Sequence, residues 1–276
     1  MVLNYLWCNR RRLFDHNYQI LIEYLGHNFV GWQKQENGRS IQESIESAIK
    51  KIFEEEVAIF GAGRTDAGVH AIGQTAHFDI KKKSFDTYVI KNALNDHLRP
   101  LPISILDVEE VDENFHARFD AIQRKYLYRI INRKSPLTIE KGRAWQVHKS
   151  LSVEPMKKCI PLIEGKHDFT TFRSAHCQSE SPIKTIDEVK ITQSDENIYF
   201  GISAKSFLHH QVRSLVGSLK MVGDGSWSIH DFDNALKSKN RSKCGALAPS
   251  EGLYFCLLYT SPSPRDRQKS RMPACA

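Results

Sequence analysis

The order of strand-like and helix-like segments predicts an α+β protein built of two related ferredoxin-like halves with mixed or antiparallel sheets. Three observations carry that expectation. Residues 18–111 read as strand, helix, strand, strand, helix, strand, the split βαβ arrangement. A comparable order of strands and helices recurs over residues 123–259, without an exact repeat of sequence. The chain is 276 residues long, 41% hydrophobic and 26% charged, which is enough to bury two modest cores.

Taken in order, Tyr18–Tyr24 alternates and is rich in Ile and Tyr, so it reads as a strand closed by Gly26. Ser40 and Glu43 form a capping-box pattern, and Ile41, Ile45, Ala48, Ile49, Ile52 and Phe53 follow at helical spacing, predicting a helix over 41–55. Short strands are expected at Val57–Phe60 and Gln74–Phe78. A helix is expected over 87–98 with Val89, Ile90, Ala93, Leu94 and Leu98 on one face, closed by Pro100 and Pro102. Strands follow at Ile103–Val111, Gln123–Ile131 and Arg143–Val147. A helix near 154–164 should kink or stop at Pro161. Strands at Ile186–Thr192 and Ile198–Ala204, helices at 209–222 and 229–238 (the second started by Ser228 with Asp231), and a strand at Leu253–Tyr259 complete the set.

The resulting organisation is an extension over 1–17, an N-terminal α+β domain over 18–118, a C-terminal α+β domain over 119–260 and a tail over 261–276. The tail has two prolines in four residues and no hydrophobic period, so it reads as disordered, and its abrupt junction suggests read-through of non-native sequence. No stretch approaches the roughly 18 apolar residues of a membrane span. Six cysteines are scattered singly, which argues against a zinc site or a secreted disulfide framework. A cytoplasmic location is expected, or an organellar one if the Arg-rich start is a transit peptide. The net charge of +7 points to nucleic acid only weakly, because nearly all of it lies in residues 1–12 and 261–276. Local clusters matter more: Lys81-Lys82-Lys83, Arg124-Lys125 with Arg129, and Arg133-Lys134 are candidate phosphate contacts or solvated faces.

The segment Gly61-Ala62-Gly63-Arg64-Thr65-Asp66-Ala67-Gly68-Val69-His70 carries the chemistry. Its glycines allow a tight turn and close approach to a ligand. A dinucleotide fingerprint fails because Asp66 stands where the third glycine belongs and a strand follows, and a P-loop lacks its Gly-Lys-Ser/Thr. What remains is a rigid loop presenting Arg64 and Asp66, an ionised carboxylate able to serve as nucleophile or base. Taken alone, a lone Asp-Ala-Gly fits a structural turn with an Arg–Asp pair better than a catalytic loop.

Read with Gly73-Gln74-Thr75-Ala76-His77-Phe78, this segment resembles the signature of the A-type tRNA pseudouridine synthases. Gly31-Trp32-Gln33, Phe115-His116-Ala117-Arg118-Phe119, Arg124-Lys125-Tyr126-Leu127-Tyr128, Gly165-Lys166-His167-Asp168-Phe169, Val212-Arg213 and Ala248-Pro249 with Glu251-Gly252-Leu253 continue the resemblance over about residues 18–259. Tyr24-Leu25-Gly26 departs from the family's Tyr-Asp-Gly, and Glu180 is acidic where a basic residue is common.

The resemblance implies an active-site cleft between the two halves and an isomerase acting on uridine in the anticodon stem-loop, at about positions 38–40 of tRNA. Asp66 would be the catalytic aspartate, and Tyr126 would stack on the target uracil, with Tyr128 on the same face as a rival. Arg213 would pair with Asp66, and Arg64 would help to extrude the nucleotide. His116, Arg118 and Gln178 would contact RNA. Breaking the bond to N1 and forming one from C5 needs no redox or energy input, so neither cofactor nor metal is expected. His209-His210 read as RNA-facing or ordinary polar residues. A homodimer on tRNA is implied, and the alternative is a catalytically inactive RNA-binding relative.

Overall fold

The computed structural model describes residues 16–81 and 83–260, without the side chains of 257–260. The expectations for most of the N-terminal extension, for the tail over 261–276 and for Lys82 lie outside the described residues. Ten strands form one continuous sheet: β1 (His16–Tyr24), β2 (Phe60–Gly61), β3 (His70–Ile80), β4 (Ile103–Val111), β5 (Ala121–Asn132), β6 (Trp145–Val147), β7 (Gly165–Asp168), β8 (Ile183–Ser194), β9 (Asn197–Ala204) and β10 (Leu253–Thr260). Their order is β4-β1-β3-β10-β5-β9-β8-β7, with β2 on β3 and β6 on β5. The architecture is α+β, as the element order predicts. The boundary drawn at 118/119 falls in the turn between β4 and β5.

Helices α1 (Ile41–Phe53) and α2 (Thr87–Leu98) cover one face of β4-β1-β3. Tyr18, Ile20, Ile22 and Tyr24 alternate toward them from β1, as period-two burial requires. Ser40 caps α1 by accepting from the Glu43 amide at 3.1 Å. The α2 stripe is narrower than its sequence pattern: Ile90, Leu94 and Leu98 are buried, whereas Val89 is 49% exposed.

A second core lies under the other half, where α3 (Val153–Lys158), α4 (Ile160–Ile163), α5 (Gln211–Gly223) and α6 (Ile229–Ser238) meet Tyr128, Ile130, Ile198, Phe200 and Ile202. The expected helix over 154–164 is two short helices divided at Cys159, just before Pro161, whose missing N–H and ring exclude a continuous ladder. In α6 the capping box is complete, with Ser228 and Asp231 bonding reciprocally.

The C-terminal strand occupies the middle of the sheet. β10 runs parallel to β3, with Tyr254 opposite His70 and Phe255 opposite Ala71, and antiparallel to β5, with Phe255 opposite Tyr126. One strand therefore joins the strand leaving the glycine-rich loop to the strand carrying Tyr126. Among the described residues, no helix is long and apolar enough to cross a membrane.

Candidate active site

The loop between β2 and β3 is held from several sides. The Ala62 amide donates to the Thr75 carbonyl at 2.9 Å, and Gln74 Nε2 donates to the Gly63 carbonyl at 2.5 Å. The Trp32 amide donates to the Thr65 carbonyl at 3.0 Å, and Tyr24 shares a 2.8 Å hydrogen bond with Thr65 Oγ1. Gly31 makes that approach possible: its φ is +117°, and a Cβ there would sit 2.7 Å from the Thr65 carbonyl oxygen. The far end is anchored by buried His70. Its Nδ1 accepts from the Gly26 amide at 2.9 Å, which places the proton on Nε2 for the Gly142 and Glu251 carbonyls at 2.9 and 3.2 Å. Burial lowers the His70 pKa, in keeping with a neutral ring.

The clamped loop turns Asp66 toward the start of α5. Arg213 Nη1 donates to Asp66 Oδ2 at 3.2 Å, while its Nε donates to the Ala248 carbonyl at 2.8 Å. The second bond fixes the guanidinium plane, since Ala248 belongs to the segment leading into β10. Val212, Leu215, Val216 and Leu219 are buried, so the helix cannot rotate to carry Arg213 away.

Two residues missed as partners complete the environment. His209 Nε2 lies 3.1 Å from Asp66 Oδ1, and His210 Nε2 lies 3.2 Å from Asp66 Oδ2. The pair is thus satisfied by polar contacts, one of the two expected readings, and the partner that satisfies it is the carboxylate of Asp66. Adjacent residues converge because His210 adopts φ +64°, a left-handed conformation uncommon for a side chain of this size. That residue also delays α5, which starts at Gln211 rather than 209. The sequence signal was present, two histidines directly before a buried helix face carrying Arg213, but nothing local specifies a left-handed histidine.

Burial raises the pKa of Asp66. The hydrogen bond and charge of His210, then the charges of His209 and Arg213, more than offset it, so the carboxyl is held below its usual 3.8. The N-terminal end of α5 adds a favourable field for an anion. Asp66, His209 and His210 bring one ligand atom each within 4.8 Å of one another, a set able to hold a cation. The Arg213 guanidinium on the same carboxylate opposes that use by charge repulsion.

Tyr126 is half-buried, edge-on to Phe207 at 5.2 Å and to Phe255 at 5.1 Å. Its pKa is raised first by burial and next by the Asp66 charge, so phenol and carboxylate share one field. Tyr128 is fully buried and donates to the Pro249 carbonyl at 2.7 Å, a packing role.

The other candidates lie around this centre. Arg64 is exposed and has no hydrogen bond or ion pair among the described residues. Gln178 is exposed on a loop tied in through the Ser174 amide, which donates to the His209 carbonyl at 2.8 Å. His116 and Arg118 occupy the turn between β4 and β5. Arg124 binds inward, to the carbonyls of Ala62, Arg118 and Lys205, so it is a strut rather than a free phosphate contact. Arg129 and Arg133 are likewise paired, with Glu140 at 2.6 Å and Glu196 at 2.8 Å.

A carboxylate kept ionised within electrostatic reach of a half-buried phenol ring suits use as a nucleophile or as a general base. The sequence profile of a family described as tRNA pseudouridine synthase matches residues 20–120 and 160–259. The chain belongs to that family, isomerases that convert tRNA uridines to pseudouridine. Among curated relatives, "tRNA pseudouridine synthase A" of Ehrlichia chaffeensis is 54% identical over 239 residues, covering 86% of this chain and 97% of the relative. The protein of the same name from Parvibaculum lavamentivorans is 51% identical over 242 residues, covering 86% and 96%. A solved Cbf5-Nop10-Gar1 complex has a chain with a TM-score of 0.34 and 10% identity, covering 86% of this chain and 57% of that one, a likeness too slight to argue from.

Proposed function

We propose that this chain isomerises uridine to pseudouridine in the anticodon stem-loop of tRNA, at about positions 38–40, with Asp66 as its catalytic carboxylate. The observation that carries the reading is Asp66 itself, clamped by a rigid loop and held ionised by Arg213, His209 and His210. The target base is stacked in RNA and must be flipped out to be reached. Arg64, exposed and uncommitted, would fill the gap or grip the backbone, and Tyr126 would stack against the uracil. The ionised carboxylate would act on the ribose, as nucleophile at C1′ or as base. The C1′–N1 bond breaks, the uracil turns, C1′–C5 forms, the proton on C5 leaves and N1 gains one. Atoms and electrons balance without a cofactor.

Arg213 would hold Asp66 in position, while His116, Arg118 and Gln178 would contact RNA from the neighbouring loops. The two halves, 18–118 and 119–260, would form the walls of the cleft. A cytoplasmic homodimer is the expected working form. The inactive-relative alternative is disfavoured because simple RNA binding does not require an ionised carboxylate, its guanidinium and a facing phenol together. Carbodiimide labelling and primer extension on unmodified tRNA transcripts test the assignment: stops should appear on the 3′ side of the anticodon arm. Stops confined to another arm would refute the target site.

A further inference from the structure

Beside the catalytic loop, β2 and the turn between β4 and β5 build a cluster of rings, of which the reading above uses only His116. Phe60 lies against His77 at 5.3 Å between centroids and against His116 at 5.6 Å. His116 in turn lies 4.6 Å from His77 and 4.3 Å from Phe119. His77 is buried, and its Nδ1 accepts from the Ala117 amide at 3.2 Å, fixing the turn to the sheet. The rings at the outer end are not covered: Phe119 is 75% exposed and Phe60 46%.

The turn is ordered by its own bonds. The Phe119 and Asp120 amides both donate to the His116 carbonyl at 3.0 Å, and the Asp120 carboxylate accepts from the His116 amide at 2.7 Å. The Arg118 guanidinium stands 5.9 Å from the Phe119 ring centroid and has no other polar partner among the described residues. An exposed, preorganised aromatic ring beside a free guanidinium matches a nucleobase with its phosphate, which needs a π face and a positive charge together. The platform is tied to the catalytic loop through Arg124, which bonds the carbonyls of both Arg118 and Ala62.

We propose that Phe119, backed by His116 and Phe60 and flanked by Arg118, is a stacking subsite for one unpaired base of the substrate RNA, distinct from the uridine brought to Asp66. The subsite rests on the tRNA reading above. Flipping one base out leaves its neighbours with fewer stacking partners, and this ring cluster would replace one of them.

The test is a coupled binding experiment on the full chain. Equilibrium Kd values are measured for a full-length tRNA transcript and for ligated versions carrying one abasic nucleotide at each unpaired position. Wild type is compared with Phe119→Ala and Phe119→Trp. Phe119→Ala should weaken binding about 10-fold, near the lower end of base–aromatic stacking, and Phe119→Trp should hold it near wild type. One abasic position should weaken wild type by a similar factor while leaving Phe119→Ala unaffected. The proposal is overturned if Phe119→Ala binds like wild type, or if no abasic position couples to it. Sedimentation of wild type and Phe119→Ala is run alongside: a shift in oligomeric state without abasic coupling would place the ring at a protein interface and also overturn it. Mapping the product on the same transcript separates the two readings, because a mark outside the anticodon arm refutes the target assignment while leaving abasic coupling to decide the subsite.

Discussion

At the scale of single residues, Asp66 takes its character from three cations or potential cations at 3.1–3.2 Å. Only Arg213 is charged at every working pH. Arg213→Ala should lower kcat/KM by roughly 30- to 100-fold, about 2–3 kcal/mol, because a partly buried carboxylate loses its guanidinium. His210→Gln removes the largest of the influences that lower the Asp66 pKa, leaving burial, which raises it, opposed only by the charges of His209 and Arg213. The acid limb of kcat against pH should therefore move to higher pH in that variant, and an unmoved limb would show that His210 does not set the ionisation of Asp66. One contact of this site was legible through the family resemblance: the motifs holding Asp66 and Arg213 imply that the two pair, and the pair is observed at 3.2 Å. The histidines were not legible as partners, because their convergence depends on the left-handed backbone of His210.

At the scale of elements, β10 and the loop clamp do the positioning. Phe255 is fully buried, meets Tyr126 edge-on at 5.1 Å, and would lie 2.7 Å from a Cβ placed on Gly63. Phe255→Ala should cost about 3–5 kcal/mol in urea unfolding through the cavity it leaves, and should lower kcat as Tyr126 and the loop lose a shared wall. Gly31→Ala combines a left-handed φ with a clash against the Thr65 carbonyl, so activity should fall further than its unfolding midpoint suggests. Helices with strong periodicity or caps, α1 and α6, were readable from sequence, as was the interruption at Pro161. β7, only four residues long, left no period to read. The narrow buried stripe of α2 reflects how little of its surface the sheet covers, which a hydrophobic pattern cannot report.

At the scale of the molecule, one sheet joins two cores. Trp32 packs in the first, and Trp145 and Trp227 pack against the second. Since β10 is bonded to both β3 and β5, the described body should unfold in one transition. Variants reporting through Trp32 alone or through Trp145 and Trp227 alone should share a midpoint, and separated midpoints would show the halves unfolding independently. Acid should act on this body through its buried histidines. Burial, then the His116 charge, lowers the His77 pKa to about 4, below the ordinary value near 6.5. Between these values the unfolded chain binds more protons, so stability is full above about 6.5 and is lost as pH falls toward 4. The slope is about 1.4 kcal/mol per pH unit for one proton, and His77→Gln should flatten it. An unchanged slope would assign the loss to other groups. The central place of β10 was not visible in the sequence, because pairing Tyr254 with His70 joins distant segments and has no local signature.

The most direct measurement follows the proton that the reaction must release. With tRNA transcript carrying tritium at uracil C5, wild type should release tritium in step with pseudouridine formation, and Asp66→Asn should release none while still binding the RNA. Tritium release by Asp66→Asn at a rate comparable to wild type would contradict the assignment of Asp66 as the catalytic carboxylate.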